Sequence, residues 1–455
     1  MKIVNPSTEQ VAGDFPPDSP SKIEEKVGLV AAAFDEWRRL GVEARCAKLR
    51  AVAGALRSRR SEFARVMAQE VGKPITAGES EINKCAVACE HYAQNAAKLL
   101  EPVQLASGGG RGYARFDPLG PILAIAPWNY PFWQVFRVAA AALAAGNTIL
   151  LKHAPNVPGS AAGLENVFQE AGFPEGVFLS VRIDDNAEAQ KLCAHPRIRA
   201  VTVTGSERTG AAVGATAGAA IKKMSLELGG SDPFIVLRDA DVEFAAASAA
   251  EARCVNSGQS CIAAKRFIVE EPIRARFEDA FVAAMNKRKF GDPMDPATQY
   301  GPLARKEILD TLQKQVDESV QAGARLLCGG KRRAGVGYFY QPTVLGDVRP
   351  GMPAFDEETF GPVGAVIEAA DAADAVQLAN QSRFGLGASI WTRDLTNAEK
   401  IAADIDAGNV FINAVVRSDP RLPFGGVKNS GFGRELAEQG IKEFVNIKTV
   451  WVSKP

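Results

Sequence analysis

The chain has 455 residues, of which 46% are apolar, and its 53 Lys+Arg balance 53 Asp+Glu to a formal charge of zero. That length suggests two domains with a small appendage, and the charge balance provides no basic field to draw nucleic acid or an anionic membrane. No apolar run is long enough to span a bilayer, since Ala139 to Ala145 is stopped by Gly146, and Met1-Lys2-Ile3-Val4-Asn5-Pro6 lacks a signal-peptide core. Seven irregularly spaced cysteines read as thiols of a reducing cytoplasm. With only His91, His153 and His195 present, neither His-based acid–base chemistry nor a His-ligated metal is expected.

Residues 21 to 100 read as helices, with Ile23, Val27, Val30, Ala31 and Phe34 at helical spacing and Trp37 following. The pattern continues from Ala44 to Glu70, and the charged runs Lys22 to Lys26 and Arg57 to Arg60 read as solvated faces. Cys85, Cys89 and His91 cluster on one predicted helix; without a fourth ligand they read as helix packing rather than zinc. Ser107-Gly108-Gly109-Gly110 is a turn between short strands at Val103 to Leu105 and Tyr113 to Phe116.

From residue 121 strands and helices alternate: strands at 122–126, 148–151, 177–181 and 200–204, helices at 132–145, 160–171, 187–193 and 208–219. This alternation predicts a parallel sheet wound with helices. Gly205-Ser206-Glu207-Arg208-Thr209-Gly210 follows one strand, where glycines let backbone and helix N-terminus approach a phosphate; the plain alternative is a tight turn. A second strand–helix series begins after Gly230, with strands at 234–237, 266–269, 363–367, 388–391 and 410–413 and helices at 242–252, 277–285, 308–320, 372–380 and 398–405. Phe444 to Val452 is β-prone.

The stretch Asn256-Ser257-Gly258-Gln259-Ser260-Cys261 puts a thiol after a turn-prone run, so that it can leave the core and enter a cleft. Taken alone, a small buried hydrophobe is the simpler reading. Pro127-Trp128-Asn129-Tyr130-Pro131, Leu226-Glu227-Leu228-Gly229-Gly230 and Glu357-Glu358-Thr359-Phe360-Gly361-Pro362 change that balance. Together with Gly258-Gln259-Ser260-Cys261, in the expected order over nearly the whole chain, they resemble the NAD(P)-dependent aldehyde dehydrogenase superfamily. Leu151-Lys152-His153-Ala154-Pro155-Asn156 and Leu228-Gly229-Gly230-Ser231-Asp232-Pro233-Phe234 are most similar to the bacterial succinate-semialdehyde dehydrogenases of that superfamily.

The resemblance implies an α/β fold: a modified Rossmann cofactor domain (1–100 and 119–228), an α/β catalytic domain (229–428) and a small β oligomerisation arm (101–118 and 443–455). It implies Cys261 as nucleophile toward a small aldehyde, Asn129 and the Cys261 N–H as oxyanion donors, and Glu227 as the base that activates water against the thioester. A carboxylate at an apolar strand end should have its pKa raised toward working pH. For the cofactor, NADP or NAD, it implies Trp128, Lys152, Gly205, Ser206, Gly210, Leu228, Glu358 and Phe360, and no metal. Pro155 stands where many NAD-preferring members carry a glutamate, so NADP+ should be accepted. For the substrate it implies Arg137 on the far carboxylate and Phe424 in the funnel, with Ser418, Arg417 or Arg421 completing the anchor. The family's second arginine is absent, Val255 standing in its place. A homodimer or homotetramer is implied as well.

Plainer roles stay open for single residues: Glu227 as an edge residue, Asn129 as a turn former, Arg137 as a helix arginine paired with a carboxylate, Cys254 as the nucleophile instead. Another small aldehyde, a CoA-acylating reaction and a catalytically silent relative are the competing functions. Glu227 argues against the second, and the full set Asn129, Glu227 and Cys261 against the third.

Overall fold

The computed structural model describes residues 1–105 and 110–453. Of the predicted Ser107–Gly110 turn, residues 107–109 lie outside the described residues, and Gly110 opens a strand. Two α/β sheets organise the chain. The first has six strands, in the order Gly431–Phe432, Lys223–Glu227, Ala200–Thr204, Pro121–Ala126, Thr148–His153 and Phe178–Val181. All its pairings are parallel except that of the two-residue Gly431–Phe432 edge. The chain leaves Pro121–Ala126 to one side and later returns to its other side. This reversal opens a crevice at the carboxyl ends of the strands, where open α/β sheets bind ligands.

The second sheet has seven strands, in the order Arg325–Cys328, Thr343–Gly346, Val363–Ala369, Arg266–Glu270, Pro233–Val236, Gly387–Trp391 and Asn409–Ile412. Only Arg325–Cys328 runs antiparallel to its neighbour. A third, antiparallel sheet joins Val445–Ser453 to Gly110–Pro118 and then to Val103–Leu105.

The helix Trp133–Ala145 is buried along its whole length, between the six-stranded sheet and the helices Val42–Ser58 and Ile75–Leu99. An all-round apolar sequence, Val138-Ala139-Ala140-Ala141-Ala142-Leu143, suits that position. Its first turn is held by a distant side chain: Glu81 Oε1 accepts the N–H groups of Phe132 and Trp133, each at 2.9 Å. A buried carboxylate at a helix N-terminus satisfies orphan donors and meets the positive end of the dipole. Glu81 is in turn paired with buried Lys73.

Two features differ from the sequence reading, and a third agrees with it. The helical pattern from Ala44 to Glu70 is two helices, Val42–Ser58 and Arg60–Val71, divided at Arg59 (φ −106°, ψ 12°). An N-terminal hairpin pairs Lys2–Val4 with Val11–Asp14, and its turn reaches the second half of the chain, where Tyr338 N–H donates to the Pro6 carbonyl (2.9 Å). Cys85 and Cys89 are buried in the helical core, where burial pushes both thiols up, and His91 packs edge-on against Tyr92.

Candidate active site

The helix Val242–Cys254 ends in a tight turn over Val255–Gly258 in which three successive residues take positive φ: Asn256 (51°), Ser257 (59°) and Gly258 (75°). Non-glycine residues are strained there, and side-chain bonds hold them. Asn256 Nδ2 donates to the carbonyls of Asn129 (2.8 Å) and Gln259 (3.1 Å), while Ser257 Oγ accepts Gly301 N–H (2.9 Å). At Gly258 the φ is positive, and a Cβ would collide with the Gly361 backbone. The glycine therefore lets the cysteine turn and the Glu358–Pro362 segment touch backbone to backbone.

Beneath the loop lie two buried cations. Arg253 Nη2 donates to the Gly258 carbonyl (2.6 Å). Lys265 Nζ lies within 3.1 Å of the Ser260, Cys261 and Ala263 carbonyls. With its carbonyls turned to these cations, the loop leaves the Cys261 N–H without an acceptor among the described residues. The half-buried Cys261 lines an open cleft.

Eight of the residues singled out in the sequence share that cleft: Trp128, Asn129, Gly205, Ser206, Leu228, Cys261, Glu358 and Phe360. They come from three strand ends and two loops, as the crevice geometry requires. Asn129 Nδ2 donates one hydrogen to the Gln259 carbonyl (3.0 Å), which leaves a second N–H on the same amide. Ser206 caps the helix Glu207–Ala219 by accepting Thr209 N–H at 3.3 Å. Glu358 Oε1 accepts Gly230 N–H (3.2 Å) and lies 3.5 Å from Lys265 Nζ. Trp128 and Phe360 meet edge to face at 5.7 Å.

Gly210 and Lys152 are off the cleft wall. A Cβ at Gly210 would strike the Leu228 side chain, so this glycine draws the helix onto the strand end. Lys152 is the penultimate residue of the strand Thr148–His153; burial lowers its pKa, against an opposing pull from Asp184. Gln134 and Thr204 also line the cleft, and neither stood out in the sequence.

Glu227 ends the strand Lys223–Glu227, and its fully buried carboxyl has no hydrogen-bond partner among the described residues. Gly425 makes room for it, since a Cβ there would come within 2.8 Å of Glu227 Oε1. Burial pushes its pKa well up, nearby Glu435 adds to the rise, and Arg137 opposes it.

Arg137 is where the sequence picture changes most. It was expected to wait for a substrate carboxylate, but its Nε lies 2.7 Å from Glu435 Oε2, with both side chains 2% exposed. The Phe424 ring covers the guanidinium at 4.7 Å, and the paired backbones of Phe424 and Glu435 (2.8 Å both ways) fix this arrangement. The carboxylate comes from 298 residues away in the chain, so no local pattern announces it. Arg421 is committed to Asp419, 2.6 Å away, and stays exposed, as does Arg417, whereas Ser418 is buried.

The aldehyde dehydrogenase family profile matches residues 1–450. The chain belongs to the aldehyde dehydrogenase family. It is 48% identical over 448 residues to the Escherichia coli (strain K12) succinate semialdehyde dehydrogenase Sad, of NAD(P)+ type, covering 98% of this chain and 97% of that protein. It is 46% identical over 456 residues to a Mycobacterium avium (strain 104) succinate-semialdehyde dehydrogenase of NADP(+) type, covering 99% and 96%. The crystal structure of Streptococcus pyogenes succinic semialdehyde dehydrogenase with NADP+ superposes with a TM-score of 0.97 at 34% identity, covering all of both chains. Like them, this aldehyde dehydrogenase is an enzyme of mixed α/β fold with a Rossmann-like sheet.

Two outcomes follow from the geometry. Burial pushes the Cys261 thiol up to about 12, the cations Arg137 and Lys265 only partly opposing it. The resting thiol is thus protonated, and its alkylation by iodoacetamide, followed by mass spectrometry of the Cys261 peptide, should rise about tenfold per pH unit from pH 7 to 9. A flat profile would mean a preformed thiolate. Arg137→Met strands the buried Glu435 carboxyl and should cost about 3–5 kcal/mol in urea unfolding. The double change with Glu435→Gln should cost less than the single one, while additive losses would show the pair to be uncoupled.

Proposed function

We propose that the enzyme oxidises succinate semialdehyde to succinate with NADP+ or NAD+. The observation that carries this is Cys261 on a cleft wall with two unused donors beside it, its own N–H and the second N–H of Asn129. The names of the relatives supply the substrate class.

The cleft fits a dinucleotide. The turn Gly205-Ser206 opens a helix whose N-terminal N–H groups suit a phosphate. Gly229 leaves space that a Cβ would close against Glu358 Oε2 at 2.5 Å, so a carboxylate reaches the cleft to take ribose hydroxyls. Lys152 would meet the adenosine ribose. When bound, the dinucleotide supplies the hydride acceptor.

The Cys261 sulfur, once its proton has left, adds to the aldehyde carbon, and the carbonyl oxygen becomes an alkoxide held by the Asn129 and Cys261 N–H groups. Loss of hydride from that carbon leaves a thioester. Glu227 takes a proton from water, the resulting hydroxide attacks the thioester, and the carboxylate departs as the C–S bond breaks and the sulfur is freed. As a carboxyl with a raised pKa, Glu227 acts as a base only in its ionised fraction, so the hydrolytic step speeds up as pH rises.

In this reading residues 1–100 and 119–228 form the cofactor domain, 229–428 the catalytic domain, and 101–118 with 443–455 an arm. Exposed Val103, Leu105, Ile447, Trp451 and Val452 on the three-stranded sheet support its use between subunits of a homodimer or homotetramer. Among the described residues no helix is long and apolar enough to cross a membrane. Seven free cysteines suit a reducing cytoplasm.

The test is the growth of reduced-nicotinamide absorbance with a panel of aldehydes; succinate semialdehyde should have the highest kcat/KM, and equal rates on butanal would refute the assignment. Glu227→Gln should give one burst of reduced cofactor and then stall, whereas unslowed turnover without a burst would point to another base. For the cofactor, Pro155 presents no carboxylate to a 2′-phosphate, and Lys152 has no ion-pair partner among the described residues. NADP+ should therefore support turnover, and an NAD+ preference above roughly a hundredfold in kcat/KM, about 2.7 kcal/mol, would contradict this.

A further inference from the structure

Lys84 lies on the helix Ile75–Leu99, outside every motif of the sequence. Its Nζ donates to Ser418 Oγ at 2.8 Å and stands 4.2 Å from the Trp133 ring centroid. Trp133 Nε1 donates to the same Ser418 oxygen at 3.0 Å. Two donors thus occupy the lone pairs of that buried hydroxyl, and its own hydrogen has no acceptor among the described residues. Trp133 is one helical turn before Arg137, on the same helix face, so this group adjoins the Arg137–Glu435 pair.

The charges around Lys84 are already committed. Arg137, a like charge, is matched by Glu435. Of the two nearby carboxylates, Glu81 is paired with Lys73 and bonds the N–H groups of Phe132 and Trp133, while Asp419 is paired with Arg421. Cys85, the remaining titratable neighbour, is held as a neutral thiol by burial. Lys84 itself makes no ion pair among the described residues and uses one of its three N–H donors. A largely desolvated ammonium in this setting is unstable without an anion, and burial draws its pKa down to about 8.

We propose that Lys84 and the Ser418 hydroxyl together seat the terminal carboxylate of the aldehyde substrate, supplying the net positive charge that Arg137, neutralised by Glu435, does not. The inference rests on the proposed oxidation of a carboxylated semialdehyde and adds the residue that selects for it.

The experiment compares kcat/KM for succinate semialdehyde and butanal in the wild-type enzyme, Lys84→Met, Lys84→Arg and Ser418→Ala. Loss of a charge-assisted contact should lower the succinate semialdehyde to butanal ratio about ten- to a hundredfold in Lys84→Met, chiefly through KM, with Lys84→Arg recovering most of it. Ser418→Ala, which keeps the ammonium, should lower the ratio severalfold and guards against a Lys84→Met chain that fails to fold. An equal loss on both aldehydes, a loss carried by kcat, or an unchanged ratio in Ser418→Ala overturns the seat and leaves Lys84 as a clamp between helix and loop. A wild-type enzyme that does not prefer succinate semialdehyde overturns the substrate assignment itself, and this inference with it.

Discussion

The site depends on the two buried cations under the cysteine loop. Arg253 and Lys265 gather the carbonyls of Gly258, Ser260, Cys261 and Ala263. A peptide whose C=O points one way presents its neighbour's N–H the other way, so fixing the carbonyls is also what frees the Cys261 N–H. Hydrogen bonds to a charged donor are stronger than neutral ones, which suits a turn carrying three positive φ values in a row. Lys265 also reaches Glu358. One cation therefore couples the Cys261 turn to the Glu358 carboxylate on the cleft wall.

Close backbone approach is the second constraint, and here the glycines in the motifs have separate reasons. Gly258 admits Gly361, Gly229 admits the Glu358 carboxylate, Gly425 admits that of Glu227, and Gly210 admits Leu228. Each junction joins segments far apart in sequence. A methyl group at any of these places would move a reacting or binding group, which at such sites matters more than the stability lost.

The sequence was legible where chemistry is written locally. Strand–helix alternation located most strands of both large sheets to within a few residues because buried parallel strands are short apolar runs bounded by turns. The motifs named Cys261, Asn129 and Glu358, and these share a wall because all follow strand ends or turns facing one crevice. Four strands of those sheets escaped notice: Gly431–Phe432 is too brief to show alternation, and Lys223–Glu227, Arg325–Cys328 and Thr343–Gly346 lie outside the alternating series. The break at Arg59 was hidden because both flanking helices carry the same apolar spacing. Glu435, Lys84, Lys265 and Arg253 were invisible for one shared reason. Each is a charged side chain whose partners are tertiary or irregular-backbone groups, and no spacing rule signals such a partner.

Arg137 and Lys84 show why charge and partner must be read together. An arginine alone in an apolar helix invites a ligand carboxylate, yet burial makes an unpaired guanidinium so unfavourable that the fold supplies Glu435. The resulting pair is close to neutral: it can orient a substrate by hydrogen bonding but adds little net field. A lysine on a neighbouring helix, with Ser418 and Trp133 as its close partners among the described residues, keeps its charge at the expense of a lowered pKa. Selection of an anionic substrate in a desolvated site requires some charge to be left unmatched until that substrate arrives, because a fully compensated site gains nothing from binding an anion. The fold meets this requirement by satisfying the guanidinium permanently and leaving the ammonium waiting.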